Sequence, residues 1–306
     1  MSFRERIRAC NRWDSSSFVP FRVDGGQVGL VRPAFAQHLR QWPEVFRVES
    51  DAVTWVSPLL GLEDRTAALT EVCRSLAEQG VVDYLHGELY PVTSGRRLEP
   101  RMLIDRACAP YFGVRAFGQH MNGYVRGPAG LQLWVAKRAA DRRVYPLHLD
   151  NLVAGGLPWG VGLAENLGKE CREEADMSPE LAAQAVGVGA VSYCRDSDRG
   201  LKPDVMYCYD LELPADFRPR CTDGEVEAFF LWPVVQVMET VRDTEAFKLN
   251  CNLVIIDFLV RHGYLDQDAP DYLEILQGLR APLPYSGDSH RDPTMLPFLR
   301  REPDPR

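Results

Sequence analysis

Apolar residues recur at helical spacing in the first third of the chain and predict a small domain of helices and strands. The clearest stretch, residues 63–79, places its apolar side chains on one face and stops at Gly80, which predicts a helix. Further predicted elements are a helix over 35–46, one or two strands over 81–92 and a short helix over 102–108. Pro110 follows, so residues 1–110 form a predicted α+β domain that ends at this proline.

Alternating and short apolar runs after Pro110 predict a sheet. The predicted strands cover residues 114–125, 131–137, 151–154, 185–193, 205–213 and 226–231. An acidic helix follows the third of them, and a closing helix is predicted over 247–261. Strands interleaved with helices predict a mixed sheet between helices over residues 111–265. The tail, residues 266–306, has one predicted helix at 272–279 and is otherwise too rich in proline for regular structure.

Three glutamates at helical spacing are the most informative feature of the sequence. Glu170, Glu173 and Glu174 are three and four positions apart, so on a helix they crowd one face and repel one another unless a cation neutralises them. Hard divalent ions with oxygen ligands, Mg²⁺ or Mn²⁺, are the natural partners. The spacing therefore predicts a metal site at these residues, and the alternative is a solvated acidic face.

A glycine-rich loop precedes the acidic helix. Gly155 and Gly156 open a segment whose backbone amides are free to face an anion, so we expect both residues to contact substrate. Trp159 in the same loop offers a ring for stacking on an aromatic ligand, with packing as the alternative role. Gly168, inside the helix, lowers helix propensity by roughly 1 kcal/mol relative to alanine. We therefore expect the helix backbone to approach the sheet closely at Gly168.

The segment 155–177 resembles the signature of the Nudix hydrolases: G, five residues, E, seven residues, then REUxEExGU, where U is a bulky apolar residue. Gly155 matches the first glycine, and residues 169–177, KECREEADM, match the ending. Three positions depart from the pattern: Val161 replaces the first glutamate, Lys169 the arginine and Asp176 the late glycine. In that family the arginine commonly pairs with the first glutamate. The first two departures therefore indicate one coupled change in loop bracing, with the metal ligands intact.

Longer runs resemble one branch of this family, whose members carry an extra N-terminal domain related to one that accompanies thiamine pyrophosphokinases. These runs are LDNLVAGGLPWG, ENLGKECREEA, VGAVSYC, DVMYCYDLELP, DGEVEAFFLWPV and LVIIDFLVRHG. The resemblance implies a Nudix α/β/α sandwich with a mixed sheet, preceded by a small α+β domain. It also implies metal-dependent hydrolysis of thiamine diphosphate and, preferentially, its damaged oxy and oxo forms, giving the monophosphate and phosphate.

Attack of water on phosphorus needs a proton acceptor, and the candidates are Glu173, Glu174 and Glu225. Glu225 is included because members of the family often supply an acidic residue from that later segment, although a solvated hairpin edge is an equal alternative. Arg195 and Lys202 lie in a polar loop between two predicted strands. Both are candidates for holding the diphosphate, with surface charge as the alternative.

Composition limits the class of protein and its surroundings. The chain has 306 residues, of which 45% are hydrophobic, and a net charge of −8, which suits a two-domain enzyme and disfavours a nucleic-acid partner. No apolar run is long enough to span a membrane, and the N-terminus lacks a secretory signal, so we expect no membrane association and a cytoplasmic location. The eight cysteines show no zinc spacing and are expected to be reduced thiols.

The expected partner is a small-molecule diphosphate, and nothing in the pattern indicates an oligomeric state. Two other functions stay open on the sequence. A nucleoside-diphosphate-linked hydrolase, acting on ADP-ribose or a dinucleotide, would release a nucleoside monophosphate and not orthophosphate. A non-catalytic module that binds a ligand or partner is favoured by the departures at Val161, Lys169 and Asp176.

Overall fold

A computed structural model describes residues 2–128 and 130–285, which form two regions around separate sheets. The helices are α1 (Phe3–Cys10), α2 (Pro33–Leu39), α3 (Leu62–Glu78), α4 (Ala109–Phe112), α5 (Leu163–Ala175), α6 (Pro179–Ala182), α7 (Val234–Asp243), α8 (Cys251–Arg261) and α9 (Tyr272–Gly278). The strands are β1 (Val19–Val23), β2 (Gly26–Val31), β3 (Phe46–Val48), β4 (Val53–Trp55), β5 (Leu89–Val92), β6 (Met102–Asp105), β7 (Phe117–Gly127), β8 (Gly130–Arg138), β9 (Leu149–Asn151), β10 (Val153–Gly156), β11 (Val186–Ser197), β12 (Gly200–Glu212) and β13 (Val226–Pro233).

The N-terminal region is built on a four-stranded sheet in the order β2-β1-β4-β3, with the pair β5-β6 beside it. Only β1 and β4 among these neighbours run parallel. Phe21, Phe46 and Phe112 form the centre of the core, with ring centroids 5.6 to 6.2 Å apart. Since Phe112 belongs to α4, this helix closes the N-terminal core, and the predicted division at Pro110 falls inside it.

The second region is a seven-stranded mixed sheet in the order β11-β12-β7-β8-β13, with β10 paired to β7 and β9 to β8. Strands β7 and β12 are parallel, and the other pairs are antiparallel. Successive side chains of β8 point to opposite faces: Leu133 and Val135 join the core under α8, and Trp134 joins the core under α5. Helices therefore cover both faces of the sheet, which confirms the expected α+β class and mixed sheet.

The first helix packs in the C-terminal region, which the sequence did not indicate. Ser2 and Glu5 form a capping box: the Ser2 hydroxyl accepts from the Glu5 N–H at 3.2 Å, and the Glu5 carboxylate accepts from the Ser2 N–H at 2.6 Å. Ile7 and Cys10 are buried in the core that contains α8 and Ile275 of α9. The chain thus begins in the C-terminal core, builds the N-terminal region and then returns.

Most predicted elements are confirmed, and two predicted helices fail for identifiable reasons. The helix predicted over 35–46 ends at Leu39, because Pro43 cannot continue it, and a strand starts at Phe46. The helix predicted over 102–108 is wrong, because its apolar residues form the fully buried strand β6. Helix α7 was missed, and of the two strands allowed over 81–92 only β5 is present.

The predicted tail begins with α9, which confirms the helix expected over 272–279. The proline-rich part after residue 285 lies outside the described residues, so the expectation of irregular structure there stays a prediction. All eight cysteines lie within the described residues as free thiols, and only Cys221 is not buried. Across residues 2–128 and 130–285, no helix has the length and apolar character that crossing a bilayer requires.

Candidate active site

Helix α5 is the predicted acidic helix, and it ends where the family pattern places a glycine. Asp176 terminates it in the left-handed conformation, with φ 51°, which aspartate tolerates better than most residues. Its carboxylate also accepts from Arg220 Nη2 at 2.7 Å. This departure therefore preserves the helix end. The expectation for Gly168 is wrong, because no atom of the sheet lies within 4 Å of the position a Cβ would take there.

Glu174 is enclosed where α5 meets β10. The residue is 6% exposed, and its Oε2 accepts a hydrogen bond from the Ala154 N–H at 2.8 Å. Burial raises the pKa of Glu174 to about 8; the Ala154 bond opposes this rise, and nearby carboxylates add to it. An enclosed carboxylate of this kind is stabilised in its ionised form by a neighbouring cation.

Glu170 and Glu173 share the ammonium group of Lys169. Lys169 Nζ lies 3.7 Å from Glu170 Oε1 and 3.2 Å from Glu173 Oε2. The Glu170 side chain is 14% exposed, and burial raises its pKa although Lys169 lowers it in part. The lysine that replaces the arginine of the family pattern therefore turns towards the predicted metal ligands.

The three glutamates offer the oxygen-only donor set that Mg²⁺ and Mn²⁺ prefer. They fit such an ion because burial raises the pKa of both Glu170 and Glu174, so a positive charge nearby would stabilise the ionised carboxylates. The ligand oxygens of all three do not lie within 4.8 Å of one another. In this arrangement a single ion would therefore contact fewer than three of them directly, and the metal site stays a prediction that donor chemistry supports.

Close contacts explain the two glycines at the start of the loop. A Cβ on Gly155 would lie 2.6 Å from Glu170 Cγ, and a Cβ on Gly156 would overlap the Tyr90 hydroxyl and lie 2.9 Å from Arg106 Cζ. Any side chain at these positions would push apart α5, β10 and the N-terminal region. The glycines thus allow the acidic helix and the N-terminal region to meet at one strand.

A buried aspartate arranges the N-terminal side of this meeting point. The Asp105 carboxylate accepts backbone N–H groups at 2.8 to 3.1 Å from three residues: His86, Gly87 and Ala107. These bonds fix the loop before β5 against the turn after β6. Glu88 and Arg106 project from these two segments, and Arg106 Nη1 donates to Glu88 Oε2 at 2.8 Å.

The two regions enclose a cleft of about 560 Å³. Its basic lining residues are Arg106, Arg138, Arg142, Arg143, Arg199, Lys202 and Lys248, and its aromatic ones are Tyr84, Tyr90, Phe117 and Tyr193. The glutamates of α5 are not among the described lining residues. They adjoin the cleft through β10, whose Ala154, Gly155 and Gly156 line it. A basic cleft beside acidic side chains suits a compact anion held with a cation.

Glu225 lines this cleft and lies near the acidic helix. Burial is the main cause of the raised pKa of Glu170 and Glu174, and the charge of Glu225 adds to both. Arg142 Nη2 lies 2.7 Å from Glu225 Oε2. The neighbouring Arg143 lies over the Tyr84 ring, with its Cζ 4.3 Å from the centroid. The loop after β8 thereby joins Glu225 to the N-terminal region.

The other predicted substrate residues separate into two groups. Lys202 lines the cleft, with Nζ 3.4 Å from Asp204 Oδ2. Arg195 and Trp159 are not among the described lining residues. Arg195 Nη1 donates to the Tyr145 hydroxyl at 2.6 Å. The Trp159 backbone N–H donates to the Leu89 carbonyl at 2.8 Å, and this bond ties the glycine loop to β5.

A buried polar network adjoins the cleft, where His120, Asp150 and Cys251 bring ligand atoms within 4.8 Å of one another. Asp150 already accepts from Cys251 Sγ at 2.7 Å, Arg138 Nη1 at 2.9 Å and Lys248 Nζ at 3.1 Å. Although burial opposes it, Lys248, His120 and Arg138 hold the pKa of Asp150 at about 2. Arg138 and Lys248 already neutralise the Asp150 carboxylate and would repel a metal ion there. We therefore interpret His120, Asp150 and Cys251 as a hydrogen-bonded structural network and not as a metal site.

The sequence did not single out most basic residues of the cleft. A signal existed for Arg142 and Arg143, which stand in a basic run directly after the strand predicted over 131–137. No local pattern marks Glu88 or Arg106. The fold brings them together, because β5 and β6 pair, Arg106 reaches Gly156, and Glu88 accepts from Arg106.

Comparisons with known proteins cover both regions. A family model described as "Domain of unknown function (DUF4743)" matches residues 2–116. "Nudix hydrolase 20, chloroplastic" from Arabidopsis thaliana is 42% identical over 289 residues, covering 91% of this chain and 77% of that protein. "Nudix hydrolase 24, chloroplastic" from the same plant is 43% identical over 283 residues, with the same coverage. The solved NUDIX domain of Shewanella oneidensis NrtR, complexed with ADP ribose, is 12% identical with a TM-score of 0.39, over 50% of this chain and 91% of that one.

An acidic helix packed on a helix-covered mixed sheet, beside a basic cleft, defines a hydrolase of the kind that the two plant relatives represent. Their identity extends over most of the chain and not only over the acidic helix. The chain belongs to the Nudix hydrolase family. The relation of its N-terminal region to a thiamine pyrophosphokinase-associated domain stays a prediction.

Proposed function

We propose that this enzyme hydrolyses thiamine diphosphate and, preferentially, its damaged oxy and oxo forms, to the monophosphate and orthophosphate, with Mg²⁺ or Mn²⁺ as cofactor. Membership of the Nudix family supports hydrolysis of a diphosphate. The choice of thiamine compounds rests on the resemblance of runs between residues 149 and 263 to one branch of that family.

One observation carries the proposal: basic residues from both regions line a single cleft at the strand against which the α5 glutamates pack. Arg106, Arg199 and Lys202 supply positive charge for a diphosphate. Tyr84, Tyr90, Phe117 and Tyr193 give the cleft an aromatic lining that suits the ring part of a thiamine compound. The volume of about 560 Å³ lies in the range of small-molecule sites.

In this proposal Glu170, Glu173 and Glu174 would hold the divalent ion, either directly or through bound water. The ion supplies neutralisation of the diphosphate and a lowered pKa for the attacking water. Glu173, Glu174 and Glu225 are the proton acceptors. Burial raises the pKa of Glu174, and a bound divalent ion would oppose that rise and keep the carboxylate ionised, the state in which it can accept a proton. Glu225 has the advantage of lining the cleft, where Arg142 orients its carboxylate.

Product analysis tests this function. Oxythiamine diphosphate, thiamine diphosphate and ADP-ribose are each incubated with Mg²⁺ and wild type, Glu174→Gln or Glu180→Gln, the last being an exposed control in α6. We expect orthophosphate and a thiamine-type monophosphate from wild type and the control, and a large loss in Glu174→Gln. AMP from ADP-ribose, with no turnover of the thiamine compounds, would favour the nucleotide alternative and reject the proposal.

The proposal includes a cytoplasmic location. As expected from the sequence, it assigns the protein no nucleic-acid partner and no membrane association. Fractionation of source cells, with an antibody against the chain, tests the location. Recovery in an organelle fraction, as the names of the two plant relatives state for those proteins, would contradict it.

A further inference from the structure

Asp204 places a buried carboxylate in the wall of the cleft, on β12. The residue is 3% exposed and lines the cleft beside Tyr193. The Tyr193 hydroxyl donates to Asp204 Oδ2 at 2.6 Å, and Lys202 Nζ lies 3.4 Å from the same oxygen. Among the described residues, no hydrogen bond or ion pair uses the other oxygen, Oδ1. One oxygen of this carboxylate therefore remains for a ligand in the cleft.

The buried aspartate of the polar network beside the cleft, Asp150, is different because both of its oxygens are used. Its Oδ1 accepts from Cys251 Sγ, and its Oδ2 accepts from Arg138 Nη1 and Lys248 Nζ. The protein alone thus satisfies Asp150, whereas it satisfies only half of Asp204. This difference favours a binding role for Asp204 over a purely structural one.

The strand register places Asp204 on the side of the cleft away from the acidic helix. Gly156 of β10 pairs with Gly118 of β7, which pairs in turn with Met206 of β12, and all three line the cleft. Asp204 lies two residues before Met206, so both side chains point to the same face of the sheet. With strands about 4.8 Å apart and a rise of about 3.3 Å per residue, Asp204 lies roughly 12 Å from Gly156.

The β10 side of the cleft is the side that suits phosphate groups. Helix α5 packs there, with Glu174 accepting the Ala154 N–H, and Arg106 packs against the Gly156 backbone. A ligand that places its diphosphate beside β10 extends its other end across β7 towards β12. Thiamine diphosphate has this elongated form, with the diphosphate at one end and the pyrimidine ring at the other.

The chemistry of the carboxylate decides which part of such a ligand it can bind. An ionised carboxylate only accepts hydrogen bonds, and the ionised oxygens of a diphosphate are acceptors as well, so the two do not pair. The pyrimidine is the part of thiamine diphosphate that offers N–H donors, through its amino group. Oxythiamine diphosphate has lost this amino group, but the oxo form of its pyrimidine carries a ring N–H instead. Both compounds therefore present a donor at the end where Asp204 lies.

We propose that Asp204 binds the pyrimidine end of the substrate, with Oδ1 accepting an N–H of that part of the molecule. Tyr193 and Lys202 hold the carboxylate in place through Oδ2. Asp204 is thus a residue that determines specificity and takes no part in phosphoryl transfer. This inference rests on the thiamine substrate proposed above.

Thiamine itself, which has the rings but no phosphate, tests this contact apart from turnover. Its binding to the full-length protein is measured by calorimetric titration of wild type, Asp204→Asn and Asp141→Asn. Asp141 is an exposed aspartate that also lines the cleft, so both substitutions remove one negative charge from it. We expect Asp204→Asn to weaken thiamine binding on the order of tenfold and the control to bind as wild type does. Unchanged thiamine affinity in Asp204→Asn would overturn the proposal.

Inorganic diphosphate, titrated in the presence of Mg²⁺, is the matching probe for the phosphate end. The asparagine oxygen can still accept from the Tyr193 hydroxyl, so we expect the cleft to keep its shape in Asp204→Asn. This variant should therefore bind inorganic diphosphate at least as tightly as wild type. An equal loss of affinity for thiamine and for diphosphate would show that the substitution disturbs the whole cleft, which would overturn a specific role at the ring end.

Two further comparisons separate a ligand contact from a structural role. Wild type should bind 4′-deaminothiamine, whose pyrimidine lacks the amino group, on the order of tenfold more weakly than thiamine. This comparison decides the matter even if Asp204→Asn does not fold, since equal affinities would overturn the proposal. Tyr193→Phe removes a partner of Oδ2 and leaves Oδ1 in place, so it should keep most of the affinity for thiamine. A loss as large as that in Asp204→Asn would show that the carboxylate only holds β11 against β12.

Turnover of the same proteins distinguishes failure of this inference from failure of the proposed function. If thiamine diphosphates are hydrolysed and Asp204→Asn binds thiamine as wild type does, only the role of Asp204 is wrong. If thiamine binding depends on Asp204 but no orthophosphate is released from thiamine diphosphates, only the proposed reaction is wrong. A wild-type protein that neither binds thiamine nor hydrolyses its diphosphate would overturn both.

Discussion

Glu174→Gln should stabilise the metal-free protein while it abolishes turnover, because the buried carboxylate opposes folding when it ionises. The ordinary pKa of this group is 4.5, and burial raises the pKa of Glu174 to about 8 in the folded state. Between these values the unfolded chain has lost the proton that the folded protein keeps. Folding therefore takes up a proton, and this group makes the protein less stable as pH rises from 4.5 to 8.

The size of the effect follows from the same two values. Each pH unit above 4.5 lowers the free energy of unfolding by about 1.4 kcal/mol, so the penalty at pH 7 is about 3 kcal/mol. At pH 5 it shrinks to about 1 kcal/mol or less. Glutamine cannot ionise, and its amide oxygen can still accept the Ala154 N–H, so the variant should escape the penalty.

Urea unfolding in EDTA at pH 7 and pH 5 measures this difference, with Glu180→Gln as the exposed control. Mg²⁺ should then raise the stability of wild type more than that of Glu174→Gln, since an ion that binds only the folded state stabilises it. The reasoning is refuted if Glu174→Gln is less stable than wild type at pH 7. A gain that is equal at both pH values would also refute it, because ionisation would not be its source.

Three further substitutions test packing around the site and between the regions. Gly155→Ala should reduce metal-dependent turnover by about tenfold, because the new Cβ displaces the Glu170 carboxylate; unchanged turnover would contradict this. Gly168→Ala should raise the free energy of unfolding in urea by up to about 1 kcal/mol, since the position faces open space, and a lower stability would contradict it. Ile7→Ala should lower the free energy of unfolding by about 2 to 5 kcal/mol, because Ile7 is 4% exposed in the C-terminal core. A loss below about 1 kcal/mol would place α1 outside that core.

The sequence predicts well those elements whose apolar or charged residues repeat at a clear spacing over many positions. Helix α3 has an apolar face over its whole length, and α5 is marked by its glutamates. The run Met102–Asp105 is too short for a helical period to be distinguished from a strand, and pairing with β5 decides it. Helix α7 had a usable signal in the spacing of its buried Val234, Val237 and Val241, but β-branched residues directly after a strand favour continuing that strand.

The residues of the candidate site also differ in whether the sequence alone could predict them. The glutamates and glycines could be predicted because they are neighbours along one segment, where helical spacing alone brings the carboxylates together. Arg106 could not, since its approach to Gly156 depends on how the N-terminal region docks. For Trp159 and Arg195 the substrate-binding role stays a prediction: the Trp159 backbone N–H donates to the Leu89 carbonyl, and Arg195 donates to the Tyr145 hydroxyl.

The N-terminal region contacts the glycine-rich loop before α5 at the positions around Val161, where the sequence departs from the family pattern. The N-terminal region holds the Trp159 N–H through the Leu89 carbonyl and the Val161 carbonyl through Arg97. In the family pattern a pair inside the loop and helix performs this bracing, and here that pair has lost its glutamate. A C-terminal region produced alone would therefore keep the three glutamates of α5 but lose the contacts that shape the loop beside them. The N-terminal region is thus part of the candidate site, because it holds the loop beside the glutamates.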